Sequence, residues 1–440
     1  MRPPKNPREM IVLLTWVYFG LLIFEGALRK WLLTPLATPL LVARDPIVVL
    51  IYLFAIRGRF FPYNGFVAAT VIMAFFALVF SLFSPISNLL ITAYGIRINF
   101  FHIPLIFILG RVLNHQDVRK ICTCILWLSL PMACLLVFQF FSPQTHIINR
   151  QVGGAAAIFG ALDKFRPSGT FSFITGVAAF FPLVTAVAIG FLLAPRNRHL
   201  ILCFASLLAV VIAFFFSISR LNALSCLIVV AVACFVIARL KNASRFLIRS
   251  VFVGTLIMIA VSSLPFFEEG VRTFQARWEQ STSEQEGGVK EAVVDRFFTN
   301  TFVYTYLSLF KTPITGRGVG VGSNVGAKML TGQVGFNFGE SEWQKVIIEL
   351  GPILGLGFIA FRIAIVYHLL KHSLRSLRHN HGLALLIFSA CALLVLNGQW
   401  GPPTIQGFAM FGAGLCLAAA KPLPKRTSAQ VKRSISQIRS

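Results

Sequence analysis

Apolar runs of about twenty residues recur along most of the chain, and short segments with lysine or arginine separate them. A run of ~20 apolar residues is long enough to cross a lipid bilayer as a helix. Inside the bilayer the backbone must satisfy its own hydrogen bonds, which favours helices. The alternation of apolar and polar residues that is typical of outer-membrane barrel strands does not occur. The pattern therefore predicts an all-α, polytopic membrane protein.

The apolar runs predict twelve transmembrane helices, separated by one long polar segment. The predicted spans are residues 10–28, 38–56, 65–83, 96–112, 120–141, 172–194, 199–217, 221–239, 247–265, 343–369, 382–398 and 404–420. The fourth is the least regular, because Arg97, Asn99 and His102 interrupt it. We expect the chain to consist of nine spans in 1–265, a loop in 266–342, three spans in 343–420 and a basic tail in 421–440.

The loop 266–342 is too long to serve as a simple connector. Ten of the fifteen acidic residues lie between Glu268 and Glu349, so this region differs in charge from the rest of the chain. Its stretch 289–310 is amphipathic and rich in aromatic residues, which is typical of a helix lying in the membrane interface. We expect any chemistry to take place on the face of the membrane that carries this loop.

The charge balance of the chain indicates its orientation. Lysine and arginine outnumber acidic residues by 25, which could suggest binding of nucleic acid, but charged residues make up only 12% of the chain and 56% is hydrophobic. With the N-terminus in the cytoplasm, 23 of the 40 basic residues fall in short cytoplasmic segments, as the positive-inside rule requires. We therefore expect both termini in the cytoplasm, the tail near anionic lipid and no nucleic-acid partner.

The eight cysteines lie in or at the ends of apolar runs. This placement indicates neither a disulfide framework nor a set of metal ligands. The sequence predicts no metal and no cofactor.

A glycine-rich segment, Gly316 to Gly322, lies in the long loop and contains Arg317. A dinucleotide site would need a preceding strand, a following helix and an acidic residue beyond it, and a Walker loop would need Gly-Lys-Ser/Thr. Neither context is present. Two interpretations stay open, a flexible loop beside a membrane helix and a cradle in which backbone amides and one arginine hold the pyrophosphate of a lipid carrier.

Several charged residues occur at or within the predicted outer ends of the spans. Three of them, Arg166, Arg220 and Arg317, have no acidic neighbour in the sequence, which suits an anionic ligand or the anchoring of lipid headgroups. Arg44 and Asp45 are adjacent and predict a structural pair. Glu25 and Arg29 have the spacing of a surface pair on a helix, and Arg362 is expected to pair or to reach for the membrane edge.

Carboxylates and aromatic residues near the tenth span complete the candidate site. Glu340 and Glu342 lie where the loop meets a predicted helix, and they suit either capping or a carboxylate that orients or deprotonates a hydroxyl. Trp343 and Tyr304 could stack on sugar rings or belong to the aromatic belt at the membrane interface.

The order of these features resembles that of a known group of enzymes. The features are Arg166 with Ser168-Gly169-Thr170-Phe171 before a span, Ser219-Arg220 between two spans, Gly318, Gly320 and Gly322 late in a long outer loop, and a helix from Trp343 to Gly351 that ends in Glu349-Leu350-Gly351. Over about residues 160–365 the chain resembles the superfamily of O-antigen ligases and O-antigen polymerases, which are glycosyltransferases of the bacterial inner membrane.

The resemblance implies a twelve-helix enzyme of the C-type glycosyltransferase class, which uses glycans on undecaprenyl pyrophosphate as donor and acceptor without metal or nucleotide. In this interpretation the pyrophosphate-binding residues are Arg166, Arg220, Arg317, Arg296 and Lys311. Catalysis is assigned to Glu340, Glu342 and Arg220, and sugar binding to Trp343 and Tyr304. Further partners would be membrane lipid, a flippase and a regulator of chain length.

One departure from the pattern decides between activities. Ligases of this superfamily have a histidine near the end of the long loop, whereas residues 266–342 contain none and read Gly339-Glu340-Ser341-Glu342 at that place. This difference favours a polymerase of exopolysaccharide or O-antigen. The alternatives are an O-antigen ligase that acts on lipid A core and a non-enzymatic transporter of lipid-linked sugar, which internal repeats and broken helices would favour.

Overall fold

The computed structural model describes residues 6–86, 88–152, 159–194, 199–240, 254–255, 265–283, 299, 301–332 and 341–422. Within these ranges almost all regular structure is helical, apart from a small antiparallel hairpin.

The helices and strands are numbered here along the chain. The α-helices are α1 Pro7–Ala27, α2 Asp45–Arg57, α3 Gly65–Leu82, α4 Leu89–Ile96, α5 Ile103–Val112, α6 His115–Phe141, α7 Ile174–Leu192, α8 Leu200–Phe216, α9 Arg220–Arg239, α10 Pro265–Ser283, α11 Tyr304–Lys311, α12 Asn324–Thr331, α13 Glu342–Leu350, α14 Pro352–Arg378, α15 Leu383–Asn397 and α16 Pro403–Ala419. Two π-helical turns, Leu28–Leu32 and Arg97–Phe101, extend α1 and join α4 to α5. Short 3₁₀ turns cover Thr34–Leu36, Pro39–Val42 and Ile147–Asn149, and the hairpin consists of β1 Phe159–Ala161 and β2 Lys164–Phe165.

Eight helical segments among the described residues are long and apolar enough to cross a membrane, so the chain is a polytopic helical membrane protein. These segments are Pro7–Leu32, Pro39–Arg57, Gly65–Leu82, Leu89–Val112, His115–Phe141, Ile174–Leu192, Arg220–Arg239 and Pro352–Arg378. The apolar helices α8, α15 and α16 are shorter and coincide with three further predicted spans. Most of the predicted ninth span, 247–265, lies outside the described residues, so the count of twelve stays a prediction.

The predicted tenth span, 343–369, is not one helix. It is divided into α13 and α14 at Gly351, whose φ of 82° places it in the left-handed region. A side chain there would meet the Ile314 carbonyl oxygen at 2.1 Å, so the break depends on glycine. The sequence pattern missed this break because apolar residues continue on both sides of it.

The two ends of the helix bundle can be recognised from their contacts. At one end, Lys421 Nζ donates to the carbonyl oxygens of Arg111 and Leu113, both at 2.7 Å, and Arg8 pairs with Asp117. We call this the proximal end, because the first and last described helices begin and finish there. The opposite, distal end contains the end of the first span and most of the residues that sequence analysis assigned to the site.

Helix α7 lies at the centre of the bundle. All but two of its 19 residues are buried, and it packs against α8, α9 and α15. Close approach of helices around this core depends on small residues, since a Cβ on Gly414 would lie 2.7 Å from Leu109 Cβ. The tightly packed core holds the distal ends of the spans in fixed relative positions.

Much of the described part of the segment 266–342 is helical, and residues 312–323, which include the glycine-rich segment, are not. Helix α10 packs against α8 through Phe267 and Phe216, whose ring centroids are 5.5 Å apart. Of the predicted interfacial helix 289–310, only the C-terminal part lies within the described residues. There Phe302, Tyr306 and Phe310 expose 52%, 59% and 74% of their surfaces, as an interfacial helix requires.

Candidate functional site

Two π-helical turns place basic side chains inside the distal end of the bundle. The turn Leu28–Leu32 ends the first span and buries Arg29 and Lys30, and the turn Arg97–Phe101 interrupts the Leu89–Val112 segment and contains Arg97. A π-turn accommodates one extra residue in a helix, so the side chains that follow it point in a new direction. Such turns are frequent at functional sites.

Arg29 and Arg44 share one carboxylate. Glu25 lies 3.5 Å from Arg29 Nη1 and 3.2 Å from Arg44 Nε, and all three side chains are buried. Arg44 also donates to the Pro403 carbonyl oxygen at the start of α16. The predicted pairing of Arg44 with its neighbour Asp45 is therefore wrong, because Arg44 faces the core next to Glu25. The predicted Glu25–Arg29 pair exists but is buried rather than on the surface.

Asp45 binds two residues of the Leu89–Val112 segment. Arg97 donates to both carboxylate oxygens, with Nη2 at 3.2 Å from Oδ1, and His102 Nε2 lies 3.0 Å from Oδ1. The same Arg97 Nη2 donates to the Leu41 carbonyl oxygen at 2.8 Å. The remaining nitrogen, Nη1, is buried and makes no hydrogen bond in the structure. Arg97 thus uses one edge of its guanidinium to join two spans and keeps one donor for another group.

Lys30 is a fully buried cation whose hydrogen-bond partners are uncharged. Its Nζ donates to Ser168 Oγ at 3.1 Å and to the Gly169 carbonyl oxygen at 2.7 Å. No carboxylate of the described residues lies within 4 Å of it. An ammonium in a low-dielectric site is costly unless an anion balances it.

Lys30 and its neighbours fasten the segment Arg166–Ser172 to the first span. Arg29 Nη1 donates to Ser172 Oγ at 3.1 Å, and Thr170 Oγ1 donates to the Ile23 carbonyl oxygen at 2.7 Å. The backbones are so close that a Cβ on Gly26 would lie 2.3 Å from the Ser172 nitrogen. These contacts hold the backbone of the segment Arg166–Ser172 in a fixed position relative to the first span.

Helix α13 contributes a second ionic cluster. Glu342 lies 3.2 Å from Arg362 Nη1 and 3.3 Å from Lys345 Nζ, and its side chain is fully buried. Arg362 also donates to the carbonyl oxygens of Val395 and Gly398 at the C-terminal end of α15, at 2.8 and 2.7 Å. Such carbonyls have no partner inside the helix, so Arg362 serves as a cap.

The electrostatics of α13 keep Lys345 positively charged. Burial lowers the pKa of Lys345, but the carboxylates of Glu342 and Glu349 raise it by more, so the pKa lies above its usual value. Burial raises the pKa of Glu349, and Lys345 opposes that shift. A lysine with a raised pKa is a permanent cation at physiological pH.

The glycine-rich segment packs tightly against three helices, α3, α4 and α13. Glu349 accepts a hydrogen bond from the Gly322 amide at 2.8 Å, while the amides of Arg317 and Val319 donate to the Ile348 carbonyl oxygen and Ser81 Oγ at 2.8 and 2.9 Å. A Cβ on Gly95 of α4 would lie 2.4 Å from the Val319 carbonyl carbon. Of the two interpretations left open, the flexible loop does not fit this packing. The amides that would form a cradle donate to protein acceptors, which leaves the exposed side chain of Arg317 as the group able to reach an anion.

The two ionic clusters and Lys30 together carry an excess of positive charge. Within the described part of the chain, six cationic side chains accompany four carboxylates. The cations are Arg29, Lys30, Arg44, Arg97, Lys345 and Arg362, and the carboxylates are Glu25, Asp45, Glu342 and Glu349. Two basic side chains are left without a carboxylate among the described residues, which makes this region suited to bind an anion.

Four of the five predicted pyrophosphate-binding residues lie within the described residues, at the distal end of the bundle. Arg166 follows strand β2, and Arg220 begins α9 next to Ile218, which contacts the hairpin at Gly160. Arg317 lies in the glycine-rich segment, and Lys311 ends α11 with an exposed side chain. Arg296 lies outside the described residues. The convergence of these side chains on one ligand stays a prediction.

The predicted catalytic and sugar-binding residues differ in accessibility. Glu342 is buried between Arg362 and Lys345, whereas Glu340 lies outside the described residues. Trp343 Nε1 donates to the Leu396 carbonyl oxygen at 3.1 Å, and its ring meets Phe302 edge to face at a centroid distance of 5.5 Å. Tyr304 is 45% exposed on α11. Of these aromatic residues, Tyr304 has the more open ring.

Sequence reasoning missed Lys30, Arg97 and Tyr94 as candidate site residues. The signal was present, because charged residues within apolar runs are expensive and normally have a partner or a function. In the sequence, Lys30 follows Arg29 directly at the outer end of the first predicted span, and Arg97 interrupts the fourth. Sequence alone could not show that Lys30 binds the segment Arg166–Ser172, or that Arg97 lies near the glycine-rich segment.

Comparison of the chain with models of protein families, with curated proteins and with solved structures found no match.

Proposed function

We propose that this protein is a polysaccharide polymerase that joins undecaprenyl-pyrophosphate-linked oligosaccharide repeats on the periplasmic face of a bacterial inner membrane. The observation that carries the proposal is the excess of buried basic side chains over carboxylates among the described residues of the distal end, where Arg166, Arg220 and Arg317 also lie. Pyrophosphate on a lipid is an anion that reaches a site inside a membrane protein. The order of motifs that resembles the O-antigen ligase and polymerase superfamily supports this assignment.

In the proposed reaction an acceptor sugar hydroxyl attacks the anomeric carbon of the lipid-linked donor with inversion. The bond between that carbon and the pyrophosphate oxygen breaks, and undecaprenyl pyrophosphate leaves with the electron pair. Arg220, Arg317 and Arg166, assisted by Lys311 or Arg296, stabilise the charge that develops on the leaving group. Fixed cations in a site that excludes water are commonly the largest contribution to such a rate enhancement.

The proton of the attacking hydroxyl goes to a carboxylate, for which Glu340 and Glu342 are the candidates. Both oxygens of Glu342 are engaged by Lys345 and Arg362, which favours Glu340 for this role. Tyr304 offers an exposed ring on which a sugar face could stack. Membrane lipid, a flippase and a chain-length regulator are the further partners that the proposal implies.

The direct test is elongation of purified lipid-linked repeats by the Arg220→Ala variant. Loss of one stabilising group at a developing charge typically lowers kcat by about 10²–10³-fold. The matched control is Arg375→Ala, which removes an exposed arginine at the proximal end and should elongate normally. Unimpaired chain growth by Arg220→Ala would refute its role.

Two added arms separate the alternative activities. Supplying lipid A core as acceptor detects a ligase, because a polymerase extends a lipid-linked glycan and leaves the core unmodified. Following product length in the absence of any ion gradient detects a transporter, since a transporter makes no longer chains. If the glycan keeps its length and the lipid-linked sugar is taken up into sealed vesicles, the protein is a transporter rather than a polymerase.

A further inference from the structure

The ring of Tyr94 lies beside the guanidinium of Arg97. Tyr94 belongs to the last turn of α4, just before the π-turn Arg97–Phe101. The Arg97 guanidinium carbon is 5.3 Å from the centroid of the Tyr94 ring, and Tyr94 also interacts electrostatically with Lys345 and Arg29. Tyr94 is partly exposed rather than fully buried.

The backbone around Tyr94 is held in place on both sides. Its neighbour Gly95 contacts the glycine-rich segment, and that segment is bonded through the Gly322 amide to Glu349 of α13. Lys345 lies one turn before Glu349 on the same helix. The glycine-rich segment therefore connects α4, which contains Tyr94, to α13, which contains Lys345.

The carboxylates near these cations are shared with other groups. Asp45 binds His102 as well as Arg97, Glu342 binds Arg362 as well as Lys345, and Glu25 binds Arg44 as well as Arg29. Each carboxylate is shared between two basic groups and therefore does not fully neutralise both. Arg97, Lys345 and Arg29 thus keep positive charge that a ligand can balance. The buried Arg97 Nη1 has no hydrogen-bond partner, which provides a donor already in position.

We propose that Tyr94 and Arg97 bind one phosphoryl group of an anionic lipid, the Tyr94 hydroxyl and Arg97 Nη1 donating to its oxygens while Lys345 and Arg29 balance its charge. The assignment of that lipid as undecaprenyl pyrophosphate rests on the proposed function. A phosphoryl group fits because its several oxygens can accept from both donors at once. These residues supplement the arginines of the proposed reaction.

The test is binding of undecaprenyl pyrophosphate to the purified Tyr94→Phe variant in detergent. The substitution removes the hydroxyl and leaves the ring against Arg97, so the fold is kept. A hydrogen bond to a charged group contributes about 1.5–3 kcal/mol, so affinity should fall by roughly 10- to 150-fold. Undecaprenol, which has the same tail and no phosphate, should bind both proteins equally. The control Tyr306→Phe removes an exposed hydroxyl on α11 and should change neither affinity.

Each further outcome decides a separate point. If phosphatidylglycerol loses affinity for Tyr94→Phe as strongly as the pyrophosphate does, the site is a general one for lipid headgroups and the substrate assignment is overturned. If Tyr94→Phe binds the pyrophosphate as tightly as the wild type while the wild type elongates glycans, the anion site is wrong and the polymerase stands. If the wild type does not elongate but its binding depends on the hydroxyl, the polymerase fails and the anion site stands.

Discussion

At the scale of single residues, Lys30 gives the clearest indication that the distal end of the bundle has a role beyond structural packing. A completely buried ammonium that donates only to Ser168 Oγ and the Gly169 carbonyl oxygen is a poor way to stabilise a fold. A side chain of similar volume without charge would avoid the cost of its desolvation. In the proposed function, the phosphates of the lipid carrier would supply negative charge next to Lys30.

We predict that Lys30→Met weakens binding of undecaprenyl pyrophosphate at least tenfold and changes the unfolding temperature little. Losing two hydrogen bonds destabilises the fold by about 1–3 kcal/mol, and removing a buried charge offsets that loss. Ligand binding and thermal unfolding of the purified variant give the two values, with Lys120→Met as the exposed control. A large drop in unfolding temperature together with wild-type affinity would make Lys30 structural.

Arg362 illustrates the opposite case of a buried cation with a structural role. It joins α13 to α15 through Glu342 and two backbone carbonyls. We predict that Arg362→Met destabilises the protein by about 3 kcal/mol, because breaking a buried pair leaves a carboxylate and two carbonyls without this donor. Unfolding of the variant in denaturant measures the effect.

The double variant Glu342→Gln/Arg362→Met provides the control for this pair. Removing both charges should restore part of the lost stability, since the uncompensated carboxylate is then gone. Equal losses in the single and the double variant would show that the backbone carbonyls, rather than the ion pair, depend on Arg362.

At the scale of elements, the glycine-rich segment acts as a joint between α4 and α13. We predict that Gly320→Ala destabilises the protein and Gly332→Ala does so much less. Both glycines have positive φ, 92° and 74°, so both substitutions strain the backbone by about 1–2 kcal/mol. Only at Gly320 would the new Cβ collide with backbone, 2.5 Å from the Ile91 carbonyl oxygen, whereas nothing lies within 4 Å at Gly332.

The difference between the two unfolding free energies isolates the steric part of this effect. Equal losses would show that Gly320 is required for its backbone conformation alone. Addition of ATP or NAD should leave both values unchanged, because the segment lacks the context of a nucleotide site.

Hydropathy alone predicted most helices of this fold, and the reason is physical. The cost of unsatisfied backbone groups in lipid leaves little choice for an apolar run of sufficient length. The break at Gly351 and the two π-turns were not predictable in this way, because they depend on contacts with remote backbone. The partners of charged side chains escaped prediction for the same reason, as Arg44 shows by pairing with Glu25 rather than with Asp45.

At the scale of the whole molecule, the distribution of basic residues predicts that the proximal end lies in the cytoplasm. We predict that Tyr63→Cys, in the exposed turn between α2 and α3, reacts with a membrane-impermeant maleimide only after the cells are permeabilised. Thr331→Cys, at the exposed end of α12, should react in intact spheroplasts. The unsubstituted chain, whose Cys134 and Cys234 are exposed within spans, provides the background.

The reverse labelling pattern would place the long loop in the cytoplasm. Lipid-linked glycans would then have to be processed on the opposite face, and the proposed reaction would need nucleotide-linked sugars instead. The test of orientation therefore decides between two kinds of donor as well as between two topologies.

The π-turns at Leu28–Leu32 and Arg97–Phe101 also indicate one way in which the chemistry of related chains could change during evolution. Each residue of an α-helix turns the chain by roughly 100°, and each π-turn accommodates one residue more than a regular helix. Deleting a single residue from either turn would leave hydropathy and span length almost unaltered while swinging Lys30 or Arg97 toward the acyl chains. Single-codon deletions at these two places would thus abolish the inward-facing charge without disturbing membrane insertion, so related chains that differ there should be expected to differ in chemistry before they differ in fold.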